Sequence, residues 1–229
     1  MQISIIIPVL NEEKSLPQLL DYLLEIKNPK ISKELIIVDG GSSDSTLDIL
    51  KSYPSIIVLQ SEKGRAKQMN FGAKTATADV LYFLHCDTFP PKNFDVAIVE
   101  QVQNGNHSGC FKMKFDNNHI VLKVSQWFTK FNHISCRGGD QSLFVERTIF
   151  EKLHGFDENL CIYEDNEFIA RLYKNSKFKV IQKTVTTSAR KYLQNGVWTL
   201  QYHFIMIHLK KRIGTGQNAL VKYYTKNIK

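Results

Sequence analysis

Ile3-Ser4-Ile5-Ile6-Ile7-Pro8-Val9 is almost unbroken in apolar residues and stops at Leu10-Asn11-Glu12-Glu13. A strand with one face in water alternates apolar and polar side chains, and this one does not, so it belongs in a parallel sheet covered by helices on both faces. Residues 12–26 then place Leu16, Leu19, Leu20, Leu23 and Leu24 on one helical face. Residues 35–38 form a second apolar strand ended by Asp39-Gly40-Gly41, and Ser42 to Thr46 supply capping side chains for a helix reaching Lys51. A strand over 56–59, a small-residue helix over 65–76 and a strand over 80–84 ending at His85-Cys86-Asp87 complete the series. Such alternation predicts an α/β domain with a mainly parallel central sheet.

The second half is less regular. Helices are predicted over 93–103, 120–131 and 164–173, with a final helix over 198–212. Strands are predicted over 109–115 and 142–145, and Arg137-Gly138-Gly139-Asp140 reads as a loop. Met69 and Phe71 read as core, and His203 and His208 as the polar side of the last helix.

With 229 residues, 43% of them apolar, the chain is long enough to bury its own core. Its net charge of +8 is unevenly spread. Residues 1–167 hold all 22 acids and 17 bases, whereas residues 168–229 hold 13 bases and no acid. The four cysteines lie about 25 residues apart with no CxxC pair, which argues against a zinc knuckle and for reduced, cytoplasmic thiols. The N-terminal stretch reads as a strand rather than a signal peptide, and no apolar run reaches the roughly 20 residues of a membrane span.

Ligands of open α/β sheets bind beyond the carboxyl ends of the strands. Asn11-Glu12-Glu13, Asp39 and His85-Cys86-Asp87 occupy such ends, and Glu62-Lys63-Gly64-Arg65 adds cations beside a glycine and a helix N-terminus, which suits phosphate. Neither GxxxxGK[ST] nor GxGxxG is present, so a P-loop enzyme and a dinucleotide-binding fold are unsupported. A nucleoside diphosphate with Mg²⁺ or Mn²⁺, held by one or two carboxylates plus substrate phosphates, fits these groups. Asp44 reads as a helix cap. Asp39 is followed by separate capping residues, which would leave its carboxylate free for a ligand.

Taken in order, Ile6-Ile7-Pro8-Val9-Leu10-Asn11-Glu12-Glu13 and Leu35-Ile36-Ile37-Val38-Asp39-Gly40-Gly41-Ser42-Ser43-Asp44 resemble the nucleotide-binding half of inverting family 2 glycosyltransferases with the GT-A fold. Lys63-Gly64-Arg65-Ala66-Lys67-Gln68-Met69-Asn70 and Leu84-His85-Cys86-Asp87-Thr88 resemble a bacterial branch reading GRAxQMNxGA and LHxDT. Gly139-Asp140-Gln141, Glu164-Asp165-Asn166-Glu167-Phe168 and Ser188-Ala189-Arg190 match the same branch.

The resemblance implies a GT-A domain over 1–192, with a nucleotide-binding half (1–90) and a sugar and acceptor half (91–192), followed by a basic helical extension over 193–229. It implies transfer of a sugar from a UDP- or GDP-linked donor to an acceptor hydroxyl. Donor contacts fall on Pro8, Asn11, Glu12, Asp39, Lys63, Gly64, Arg65, Gln68, His85 and Arg190, with Glu12 and Asp39 on the nucleoside and Arg65 and Arg190 on the diphosphate. Asp87 would bind the metal, Asp165 would be the general base, and Asp140, Gln141 and Glu164 would shape the sugar or acceptor pocket. In the family's DxD motif the first acid is replaced here by His85, which brings less charge to a metal.

Two other classes compete. A binding module would use the basic tail on nucleic acid or anionic lipid and leave the α/β body idle, but the tail lacks a recognition motif. A sugar nucleotidyltransferase would want a basic glycine-rich loop after the first strand, where Asn11-Glu12-Glu13 is acidic. The last helix either packs on the domain or lies on an anionic membrane, at whose inner face a lipid-linked acceptor would reside.

Overall fold

A computed structural model describes residues 1–228. Eight strands form one sheet in the order β3-β2-β1-β4-β7-β6-β8-β5. The parallel half consists of β1 (Gln2–Val9), β2 (Ser32–Asp39), β3 (Ile57–Gln60) and β4 (Val80–Phe83). The other half adds β5 (Thr88–Phe89), β6 (Ser108–Phe115), β7 (Leu143–Glu146) and β8 (Phe178–Thr187). There β7 runs antiparallel to both β4 and β6, and β8 pairs parallel with β6.

Ile3, Ile5, Ile6 and Ile7 are fully buried, each contributing about 1.5–3 kcal/mol, as expected of a strand covered on both faces. One core lies under α1 (Leu16–Glu25), α4 (Phe94–Gln103), α5 (Ile120–Phe128) and α9 (Val197–Arg212); the other lies under α3 (Arg65–Thr75), α6 (Arg147–Lys152) and α7 (Glu164–Asn175). α3 sits so close to β1 that a Cβ on Gly72 would come 2.5 Å from Ile6 Cγ2.

The structure corrects several expectations. The first helix begins at Leu16 rather than residue 12, because residues 11–15 form a turn bonded to the 42–46 segment. The predicted helix over 120–131 stops at Phe128. The sequence pattern does not announce β5, β8, α6, α8 (Arg190–Asn195) or α10 (Gln217–Asn227), whereas the helix expected up to Lys51 is present as the short α2 (Thr46–Leu50) with Lys51 at its C-terminal cap. Met69 is core, whereas Phe71, two residues on and so on the opposite face of α3, is 40% exposed. The last helix does pack on the domain, because Leu200 and Ile207 join the first core. Among the described residues no helix is long and apolar enough to cross a membrane.

Candidate active site at the strand ends

The topology gathers the polar loops. β7 runs opposite to β4, so the loop entering β7 meets the loop leaving β4; β8 is parallel to β6, so its end reaches the same edge. Pairing of β5 with β8 fixes this edge: Thr88 and Thr187 share a hydrogen bond of 3.0 Å, and Ser188 N–H donates to the Asp87 carbonyl at 3.1 Å. Arg190 is thereby carried to the β1 loop, where its guanidinium forms a forked pair with Glu12, closest at 2.9 Å.

At the centre, His85 presents Nδ1 to the half-exposed Asp140 carboxylate at 3.3 Å and Nε2 to Asp165 at 3.9 Å. Arg65, the first residue of α3, lies 3.3 Å from Glu164 and 3.5 Å from Asp165. Burial and the Arg65 charge push the His85 pKa down, but Asp140 and Asp165 outweigh them and hold it above the ordinary histidine value. Desolvation by the surrounding protein atoms works against ionised Asp140 despite its half-exposed position, and the hydrogen bond with His85 and the charges of His85 and Arg65 reverse that, leaving Asp140 below its usual range.

Asp165 is seated from above by backbone. A Cβ on Gly139 would fall 2.1 Å from Asp165 Oδ2 and 2.9 Å from His85 Cε1. The space therefore admits only glycine. Gly139→Ala is expected to keep the fold but displace Asp165, with transfer activity falling at least about 10²-fold, the cost of a misplacement near 1 Å. Activity within twofold of the parent would contradict this seating.

Glu164 is nearly buried, with 5% of its side chain exposed. Burial and the neighbouring Asp165 raise its pKa, and Arg65 only partly offsets them. A carboxyl raised on folding is destabilising when ionised, and that cost grows as pH rises from the unfolded value, near 4.3, through the higher folded one. Glu164→Gln is therefore expected to melt higher than the parent at neutral pH, with the gap closing towards pH ~4. A gap that stays constant or widens on acidification would refute this.

Several expected ligand residues occupy other positions. Asp39 is fully buried, and its carboxylate accepts from Gly41 N–H at 2.9 Å, from Ser42 N–H at 3.0 Å and from the Ser42 hydroxyl. The separate caps do not free it from turn-making. Gln68 is 4% exposed and donates to the carbonyls of Val9 and Val38 at 2.8 Å each, pinning the ends of β1 and β2 together beneath the cleft. Gln141 is 3% exposed; its amide oxygen accepts from Arg137 at 2.5 Å and its nitrogen donates to the Cys136 carbonyl at 2.7 Å, so it braces the loop instead of lining a pocket. Asn11, in the left-handed region at φ 55°, accepts from Ser43 N–H at 2.8 Å. Pro8 lies within β1 opposite Val38, and Lys63 is exposed beside Gly64, whose φ of 146° turns the chain into α3. Asp44 caps as expected, accepting from Thr46 N–H at 3.0 Å.

Sequence reading missed two supporting residues. Tyr163 takes a left-handed φ of 74° immediately before Glu164 and is held by His208 of α9, Oη to Nδ1 3.2 Å. His208 is thus more than a polar surface residue. Asn166 donates to the Arg137 carbonyl at 2.9 Å, tying α7 to the Gly138–Gly139 loop. Only the paired glycines signalled this assembly in the sequence.

Hydrogen bonds from the described residues do not reach the Asp87 carboxylate, whose pKa is raised by burial and by Asp140 and Glu12. A carboxylate short of partners in this position fits a divalent cation. No group of three potential metal-ligating side chains occurs among the described residues, so the donor's oxygens and water would complete the shell. Two surface depressions of about 390 and 360 Å³ lie along α3, away from this cleft.

A parallel half, a mixed half and acids with cations at the shared strand ends define the GT-A class of α/β protein. The chain belongs to glycosyl transferase family 2, whose sequence description matches residues 4–151. A Methanococcus voltae protein, dolichyl N-acetyl-alpha-D-glucosaminyl phosphate 3-beta-D-2,3-diacetamido-2,3-dideoxy-beta-D-glucuronosyltransferase, is 33% identical over 90% of this chain and 80% of its own length. The poly(ribitol-phosphate) beta-glucosyltransferase of Bacillus spizizenii is 35% identical over 77% of this chain and 30% of its own. The crystal structure of S. aureus TarS 1–349 in complex with UDP shares the fold, with a TM-score of 0.69 and 23% identity over 82% of this chain and 60% of that one. The chain spans less than half the length of several curated relatives. Family membership disfavours the idle-body reading of the basic tail.

Proposed function

We propose that the chain transfers a sugar from a nucleoside-diphosphate sugar to an acceptor hydroxyl with inversion. The observation that carries this is the convergence of Asp165, His85 and Arg65 beneath Gly139, at the edge where Glu12 and Arg190 also meet. The acceptor oxygen attacks the anomeric carbon as its proton passes to the Asp165 carboxylate, and the bond to the diphosphate breaks on the opposite side. Negative charge then grows on the departing diphosphate. On this reading Arg65 and Arg190 counter it and Glu12 serves the nucleoside, while Asp39 shapes the turn beside it. Asp87 would hold Mg²⁺ or Mn²⁺, which supplies further positive charge to the leaving group when bound.

A UDP-linked donor is favoured by the UDP in the related crystal structure, and a lipid-linked acceptor by the dolichyl-linked relative. Thermal melting with UDP, GDP and their sugars, with and without Mn²⁺, tests the donor. A matching ligand at 100 times its Kd would stabilise by about 2.7 kcal/mol, a rise of roughly 5–10 °C for a chain of this size. No response to any nucleotide would sink the proposal.

A further inference from the structure

Two helix faces are apolar and open. On α5, Ile120, Val124, Trp127 and Phe128 are 48–63% exposed, at helical spacing. On α9, Trp198, Tyr202, Ile205 and Leu209 form a second stripe, 48–70% exposed, on the side away from the buried Leu200 and Ile207. The segments lie side by side. At one end the His119 ring meets Trp198 edge-on at 6.2 Å, and at the other Arg212 donates to Ser135 at 3.3 Å. The stripes therefore form one surface, larger than the scattered apolar residues of an ordinary monomer.

Its charge is one-sided. Residues 117–139 contain no acid and carry the exposed Lys123 and Lys130, and α9 lies in the acid-free stretch of 168–229. The Lys130 ammonium rests 3.9 Å from the Trp127 ring centre, and Arg212, the last residue of α9, is exposed at the far end of the face. We infer that this two-helix face docks on the anionic surface of a lipid bilayer. Aromatic and aliphatic side chains enter the interface while lysine and arginine heads meet the phosphates. A second copy is a poor occupant, because self-pairing sets basic rim against basic rim. The inference extends the lipid-linked acceptor reading but does not depend on it, and its test measures no activity.

The chain's two tryptophans, Trp127 and Trp198, both lie on this face, so tryptophan emission, excited selectively over the nine tyrosines, reports it alone. The full chain is titrated with phosphatidylcholine vesicles, with and without phosphatidylglycerol. Expected are a blue shift on the anionic vesicles only, its reversal by salt, and a response from each of Trp127→Phe and Trp198→Phe. Val124→Glu with Ile205→Glu, both half-exposed in the parent, should abolish binding with an unchanged circular dichroism spectrum. Lys123→Gln with Arg212→Gln should weaken it roughly thirtyfold, about fivefold per charge. No shift, an equal shift on neutral vesicles, a shift from one tryptophan alone, or a shift produced by self-association without lipid would each overturn the inference.

Discussion

Asp165→Asn is expected to bind the nucleotide-sugar donor as the parent does and to transfer sugar about 10²- to 10⁴-fold more slowly, the range for removing a positioned general base. The amide is nearly isosteric, so it still fits beneath Gly139, where a Cβ would meet Oδ2 at 2.1 Å. What it loses is the capacity to take a proton. It also loses the charge facing Arg65 at 3.5 Å and His85 at 3.9 Å, so a melting curve must accompany the rate. Steady-state transfer with donor binding measured separately isolates the chemical step. Parent-like turnover in a folded Asp165→Asn would remove Asp165 as the base, and Glu164, the adjacent carboxyl with the raised pKa, would be the next residue to substitute.

Arg137→Met is expected to destabilise the chain by roughly 3–5 kcal/mol, since it removes several buried hydrogen bonds from a charged donor, each worth about 1.5–3 kcal/mol. Arg137 is 5% exposed and makes no ion pair among the described residues. Its guanidinium instead donates to the Thr129 carbonyl at 2.8 Å, to the Phe131 carbonyl and to the Gln141 amide oxygen at 2.5 Å. Methionine fills similar volume but donates nothing: the Thr129 carbonyl loses its partner, the Phe131 carbonyl keeps only His133 N–H and the Gln141 oxygen only the Cys110 thiol. Because Gln141 and the Arg137 carbonyl hold the loop that seats Asp165, activity should fall with stability. Calorimetry should show a melting temperature lower by about 10 °C; a change below about 2 °C would show the network to be dispensable.

The parallel half was legible because its code is local. Apolar runs ended by Asn11, Asp39 or His85 name their own strands, and polar residues after a parallel strand fall on the ligand side of the sheet by topology alone. β8 was not legible, for a physical reason. Its pairing with β6 slips between Phe111 and Lys112, and both Val180 and Ile181 are buried, so the alternation that announces a strand changes phase in the middle. β5 has only two residues and exists through its partner. In the site, residue type was legible and direction was not: Gln68 and Gln141 stand in motif positions yet turn their amides to backbone carbonyls and to Arg137. Tyr163 gave no signal, because its place depends on α9, 45 residues further along.

The clasp between Glu12 and Arg190 also sets an order of events during synthesis. Its two halves are 178 residues apart, and at 5–20 residues per second the ribosome needs roughly 10 to 35 s to deliver the second after the first. The parallel strands can collapse in that interval, but the β1 loop waits for its counter-charge with Glu12 unpaired. A nascent chain thus has a folded scaffold well before it has a finished cleft. Nucleotide capture should appear late and all at once, as the eighth helix emerges with Arg190, rather than growing with chain length.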